Sequence, residues 1–186
     1  MQNQIINAIN QGISLKQLIL TDLSFIKTIQ DVIGEIVQAL KADRQIFFCG
    51  NGGSAADAQH LAAELLGKYY LERKPYCCEA LHTNSSYMTA VSNDYSFSEV
   101  YARLLRAKGK PGDVLAALST SGNSGNIVRA VETANELGLI TIGFTGKSGG
   151  KMRGISKYLL NVPSDDTPRI QEIHILIGHI VCECVE

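Results

Sequence analysis

The chain is predicted to be an α/β protein built on a doubly wound sheet of five parallel strands, with two additional helices ahead of the sheet. Three observations carry that prediction. Five short apolar runs, 46–49, 77–81, 114–118, 140–144 and 158–162, have the length of buried strands. Between them lie amphipathic stretches of helical period, the connections that parallel strands require. Helical periodicity also fills the first 42 residues, before any strand begins.

Taken in order, Ile5, Ile6, Ile9 and Ile13, and then Phe25, Ile26, Ile29, Ile33, Ile36, Val37 and Leu40, recur at spacings of three and four, with a break near Thr21 and Asp22. No Gly/Pro cluster separates this helical pair (1–42) from the α/β core and last helix (45–186), so residues 1–186 are expected to form one domain. The strand Ile46-Phe47-Phe48-Cys49 leads through Asn51-Gly52-Gly53-Ser54 into a helix that reaches Leu66. Ser96-Phe97-Ser98-Glu99 has the spacing of a capping box and predicts a helix start. Ser124 is placed to cap a helix bearing Ile127, Val128, Val131 and Ala134, which Gly138 ends. Thr167-Pro168 offers an N-cap and a proline at the first helical position for a last helix over 168–185. Ile170, Ile173, Ile175, Leu176, Ile177, Ile180 and Val181 leave that helix apolar on nearly every side, so it is expected to be buried all round. With the two leading helices, which a doubly wound core does not need, it points to a helical bundle shared between subunits.

Composition narrows the function. With 17 Lys+Arg against 18 Asp+Glu, the net charge of -1 argues against a polybasic binder of nucleic acid or membranes. The polar start MQNQIINAINQGISLKQ lacks the features of a signal peptide, and no run is long and apolar enough for a membrane span, so a cytoplasmic setting is expected. The five cysteines, Cys49, Cys77, Cys78, Cys182 and Cys184, form neither an even set nor a CxxC pair, and are expected to pack as small core hydrophobes.

Four groups of residues could do chemistry. Asn51-Gly52-Gly53-Ser54 follows the first strand, where open α/β sheets place ligands and where small residues let backbone N–H groups approach an anion. It is neither a Walker A loop nor a dinucleotide fingerprint, and a tight turn needing glycine would use the same residues. Ser119-Thr120-Ser121-Gly122-Asn123-Ser124 gathers four hydroxyls at a second helix start, a cradle suited to a phosphate monoester or simply a hydroxyl-rich loop. His60 and Glu64 share one helix face, placed for a common metal or proton, or for a solvated i,i+4 hydrogen bond. Gln171, Glu172, His174 and His179 are polar groups on an otherwise apolar helix, and each needs a partner there. Spacing alone aligns Glu172 better than Gln171 with His179.

In this order, CGNGGSAADAQHLAAEL, SNDYSF, STSGNS, TGKSGGK and RIQEIHILIGHIVCE resemble the phosphoheptose isomerases of the sugar isomerase (SIS) domain family, from about residue 45 to the end. The resemblance implies a flavodoxin-like fold and a tetramer with sites between subunits. It implies conversion of sedoheptulose 7-phosphate to D-glycero-D-manno-heptose 7-phosphate, the first step toward activated heptose for bacterial surface polysaccharide such as lipopolysaccharide. By the same resemblance Asn51, Gly52, Gly53, Asn93, Asp94, Ser119, Thr120, Ser121 and Ser124 match substrate-binding positions, joined by Glu64 and Gln171. His60, Glu64, Gln171 and His179 match ligands of one Zn²⁺ per subunit, and Glu64 and His179 match the catalytic acid/base pair. Moving a carbonyl from C2 to C1 needs a base, an acid and a group to hold the developing oxyanion, which this set supplies. Lys68, where relatives often carry Arg, together with His82, Asn84 and Gly125, departs from the family pattern. Two rival readings share the loops: a non-enzymatic SIS protein that binds the bacterial replication initiator, and an isomerase of another ketose phosphate. The former lacks the acid/base residues that this chain has.

Overall fold

In the computed structural model, which describes residues 1–186, strand β1 (Ile46–Cys49) lies between β2 (Cys78–Ala80) and β3 (Val114–Leu118), and β4 (Ile140–Thr145) and β5 (Tyr158–Asn161) extend the sheet beyond β3. Every pairing is parallel, and the order is β2-β1-β3-β4-β5. The chain therefore winds one way from β1 and the other way from β3. A crevice opens outside the carboxyl ends of these two strands, at the point where the winding reverses.

Seven α-helices complete the fold: α1 (Gln2–Thr21), α2 (Leu23–Lys41), α3 (Gly53–Leu66), α4 (Ser85–Asp94), α5 (Val100–Lys108), α6 (Gly125–Glu136) and α7 (Thr167–Val185). Alternation along the strands divides the core in two. Phe48, Ala116 and Phe144 face a cluster built with α2, α3 and α7, whereas Phe47, Leu115 and Ala117 face α5 and α6. Sheet and helices thus bury both faces of the strands, which is why β1 and β3 are apolar at every position.

Local chemistry explains most boundaries and corrects several expectations. The α1–α2 break falls at Asp22, whose carboxylate accepts from the N–H groups of Ser24 and Phe25 at 3.0 Å each. Gly138, at φ +77°, follows α6 as expected. The last helix, however, has Asp166 at its N-cap, so Thr167 and Pro168 occupy its first turn. Ser96 to Glu99 forms no capping box. Ser96 and Ser98 share a 2.6 Å hydroxyl contact, residues Phe97–Glu99 make a 3₁₀ turn, and Glu99 pairs with Arg106 and Arg129 instead. Helix α4 has no counterpart in the sequence reading. Its period is masked because only Val91 is buried, and Asn84 caps it by accepting from the Tyr87 N–H at 3.0 Å.

Burial also differs from expectation at two places. Within one chain α7 is covered on one side only: Ile175 and Leu176 are half-buried and Ile180 is exposed. The α1 residues Ile5, Ile6, Ile9 and Ile13 are exposed as well, while Leu15 and Ile19 turn inward. Cys49, Cys78 and Cys182 are buried, but Cys77 and Cys184 are exposed and so are not core residues. No helix is long and apolar enough to cross a membrane.

Candidate active site

The two small-residue loops meet across the crevice. Asn51 and Asn126 exchange a reciprocal pair of amide hydrogen bonds, 2.8 Å each, which ties the loop after β1 to the first turn of α6. The Tyr101 hydroxyl donates to the Gly50 carbonyl at 2.5 Å and fixes the same turn from below. A Cβ at Gly50 would lie 2.2 Å from the Ser54 carbonyl oxygen, so the chain can turn into α3 here only with glycine. Gly52 and Gly53 are exposed at the helix start, where the free N–H groups of α3 point.

The loop after β3 is braced from behind by residues 146–152. The Gly146 N–H donates to Thr120 O (2.8 Å), the Met152 N–H to Gly122 O (3.1 Å) and the Lys151 N–H to the Asn123 side chain (3.0 Å). Gly122, at φ +65°, leaves 2.1 Å between a virtual Cβ and the Gly149 carbonyl oxygen, so the two turns are in backbone contact. Ser124 sits at the N-cap of α6, but its hydroxyl accepts from Ser119 Oγ at 3.1 Å and makes no cap hydrogen bond. Ser119 is buried, Ser121 exposed, and Ser121 Oγ accepts from the Asn123 N–H at 3.1 Å. Asn126, 3% exposed, holds the junction of the two loops, a positioning contact that the sequence reading missed. Its signal is a polar residue on the buried face of α6.

Two turns further along α3, His60 and Glu64 meet His179 of α7. His60 Nε2 is 3.0 Å from Glu64 Oε1 and 3.3 Å from His179 Nε2, and the three candidate ligand atoms all lie within 4.8 Å of one another. Two imidazole nitrogens and a carboxylate oxygen gathered in this way are a donor set that could hold a metal ion. Glycine makes this meeting possible. Gly178 is buried, and a Cβ there would stand 2.5 Å from Leu61, so α7 closes on α3 beside the imidazoles. At the other end, a Cβ on Gly53 would meet the Gln171 amide at 2.7 Å. The helices therefore run parallel, with Gln171 at the Gly-rich loop and His179 at His60.

That register separates Gln171 from His179 by eight residues, about 12 Å of helix. Within one chain Gln171 is not part of the His60, Glu64, His179 cluster. Glu172 is not either, because it pairs with Arg169 at 2.8 Å. His174 is fully buried and donates from Nε2 to the Thr145 carbonyl at 3.2 Å, and burial lowers its pKa to about 4. Asn93 and Asp94 are exposed at the end of α4 and hydrogen-bond each other at 3.0 Å. Asp57, one turn before His60, was not singled out from the sequence. Its Oδ2 is buried without a hydrogen-bond partner, and burial raises its pKa against the pull of the two imidazoles. The departures are mostly peripheral. Lys68 pairs with Glu72 at 2.9 Å, Asn84 caps α4, burial lowers the pKa of His82, and nothing in the structure requires glycine at 125.

Two small-residue loops meet at the switch point of a parallel sheet with the His60, Glu64 and His179 cluster beside them, an α/β arrangement with a candidate ligand crevice, and the chain belongs to the SIS domain family, whose model matches residues 15–146. Within that family it is a member of the phosphoheptose isomerases. It is 48% identical to the phosphoheptose isomerase of Clostridium acetobutylicum over 186 residues, covering 100% of this chain and 95% of that one. Solved phosphoheptose isomerases have the same fold. That of Neisseria gonorrhoeae superposes with a TM-score of 0.92 at 41% identity, and that of Francisella tularensis with 0.94 at 34%; each match covers 99% of this chain and 97% of the other.

Proposed function

We propose that the chain interconverts sedoheptulose 7-phosphate and D-glycero-D-manno-heptose 7-phosphate in the cytoplasm, as an early step toward heptose for surface polysaccharide. The observation that carries this reading is the convergence of Glu64 and His179, on different helices, within 4.8 Å of each other. A carboxylate and an imidazole so placed can take a proton from C1 of the ketose and return one to C2 through an enediol. The phosphate end is assigned to Ser119, Thr120, Ser121 and Ser124, whose loop opens α6. Asn51, Gly52 and Gly53 line the path between. From Gly53 to His60 is about 10 Å along α3, a span that an extended seven-carbon phosphate can bridge.

His60, Glu64 and His179 suit Zn²⁺, one per subunit, through two nitrogens and one carboxylate oxygen. An ion held by these three residues would supply Lewis-acid stabilisation of negative charge developing on the substrate oxygens. Gln171 stands against Gly53 of its own chain, where its assigned role toward substrate is met; because it lies two turns from His179, its assigned role at the metal calls for Gln171 of the partner subunit. A homotetramer with sites between subunits accords with this and with the side-chain exposures of His60 and Glu64, 48% and 28%, in the single chain. Asn93 and Asp94, exposed and unengaged beyond each other, are assigned to substrate in the same assembled site.

The test is to mix the purified protein with sedoheptulose 7-phosphate and follow the anomeric signals of the aldose by NMR, with and without a chelator. Appearance of the aldose, slowed by chelation and restored by Zn²⁺, is expected. No aldose at any metal level overturns the isomerase reading. Unchanged turnover in protein shown by elemental analysis to be metal-free overturns the zinc assignment alone.

A further inference from the structure

The segment that follows Glu64 contains an ionic arrangement the reaction above does not use. Beyond the end of α3, the backbone N–H groups of Tyr69, Tyr70 and Leu71 converge on the carboxylate of Glu186. Oε1 accepts from Tyr69 at 2.9 Å, and Oε2 accepts from Tyr70 at 2.5 Å and from Leu71 at 2.7 Å. Successive N–H groups aimed at one point form an anion nest. Arg73 closes it, with Nε 2.9 Å from Oε1, and the Glu186 side chain is left 2% exposed. Burial alone would raise the pKa of this carboxyl, but the N–H donors of Leu71, Tyr69 and Tyr70 and the Arg73 charge bring it down to about 2.

Arg73 reaches further. Its guanidinium donates to the carbonyls of Glu64 (3.2 Å) and Leu65 (3.0 Å) and stacks on the Tyr76 ring at 4.1 Å. These carbonyls belong to the last turn of α3, which lacks intrahelical donors and favours a cation. The nest in turn holds Tyr69, whose ring centroid is 5.9 Å from that of His179. One ion pair therefore connects the turn carrying Glu64, the loop carrying Tyr69 and the end of the helix carrying His179. We propose that Arg73 and Glu186 form a latch that positions Glu64 and Tyr69 against His179, a role in turnover that neither residue plays by touching substrate. The kinetic part of this inference rests on the isomerase reading.

A carboxylate is required here because all the groups facing it are donors. In Glu186→Gln the amide nitrogen must confront either N–H groups or the guanidinium. Small displacements of reacting groups cost up to about a hundredfold in rate. The expected result for E186Q is a fall in kcat of about tenfold or more with KM within about twofold, because the phosphate loops at the ends of β1 and β3 are untouched. Glu186→Asp, which keeps the charge on a shorter stem, should recover part of the loss, and R73K should fall as E186Q does.

Amide hydrogen exchange supplies the readout that does not depend on activity. Tyr69, Tyr70 and Leu71 should be protected in the full chain and exchange freely in E186Q. Wild-type kcat in soluble E186Q, a lowered Tm with unchanged kinetics, or rapid exchange at 69–71 in the unmodified protein would each overturn the latch. If E186Q does not fold, R73K and the exchange of the unmodified protein decide. If the unmodified protein fails to isomerise sedoheptulose 7-phosphate, the functional reading falls, and exchange at 69–71 still judges the latch.

Discussion

Glu64 and His179 show what a single side chain contributes when its partner is far away in sequence. His60 Nε2 lies within hydrogen-bonding range of both, so the three groups must share protons or a cation to avoid opposing lone pairs. Glu64→Gln and His179→Gln keep size and polarity but remove the proton-accepting oxyanion or the titratable ring. Each should abolish isomerisation while leaving Tm within a few degrees, because both side chains are partly exposed and neither packs the core. Measurable turnover near the wild-type rate in either variant would remove the proposed mechanism. The sequence made His60 and Glu64 legible as a pair, since i,i+4 spacing fixes a common face. It could not choose between Gln171 and Glu172, because helical phase does not say which neighbouring element each face meets.

Among the elements, the α3–α7 contact decides the site. Gly178 removes a side chain that would hold the helices apart beside the imidazoles, as Gly53 does at the other end, and Leu61 fills the space at Gly178. In Gly178→Ala, overpacking costs about 1–3 kcal/mol while helix propensity returns about 1 kcal/mol. We therefore expect a small change in Tm and a clear loss of kcat, measured by thermal unfolding and steady-state assay on the same preparation. A kcat equal to wild type would show that the helix spacing is not limiting. The same helix carries a pH-dependent element. His174 is buried neutral, with its pKa lowered from 6.5 to about 4 by desolvation. The unfolded chain therefore binds a proton that the native chain refuses as pH falls through 6.5, and stability drops between about 6.5 and 4. Denaturant titrations across that window should show this slope, and His174→Gln should flatten it; equal slopes in both proteins would rule the histidine out. The strands were readable as elements because each is short, apolar and bounded by turn residues. Helix α4 was not, because its one buried side chain leaves no period to detect.

The whole molecule presents an unpaired apolar surface. Ile5, Ile9 and Ile13 lie on one side of α1 at 48% to 57% exposure, and Ile180 of α7 is also uncovered. An exposed stripe of this size marks an interaction face. Since the proposed site needs Gln171 of the partner subunit, assembly and activity should fail together. Ile9→Asp combined with Ile13→Asp is expected to shift the protein to smaller species in analytical ultracentrifugation and to lower kcat/KM sharply. Full activity in a monomeric double variant would disprove sites between subunits.

The sequence by itself determined the local features. Apolar runs, helical periods and small-residue loops specify strands, helices and turns through interactions within a few residues, and the ordered motifs marked the family. Only the tertiary structure decided which of those features meet. It placed His179 on His60 rather than Gln171, joined the two loops through Asn51 and Asn126, and set Glu186 into the nest after α3. Contacts between residues some 70 to 120 positions apart depend on how helices close on a common sheet, at glycines whose value is the space they leave empty, and no local pattern encodes that space.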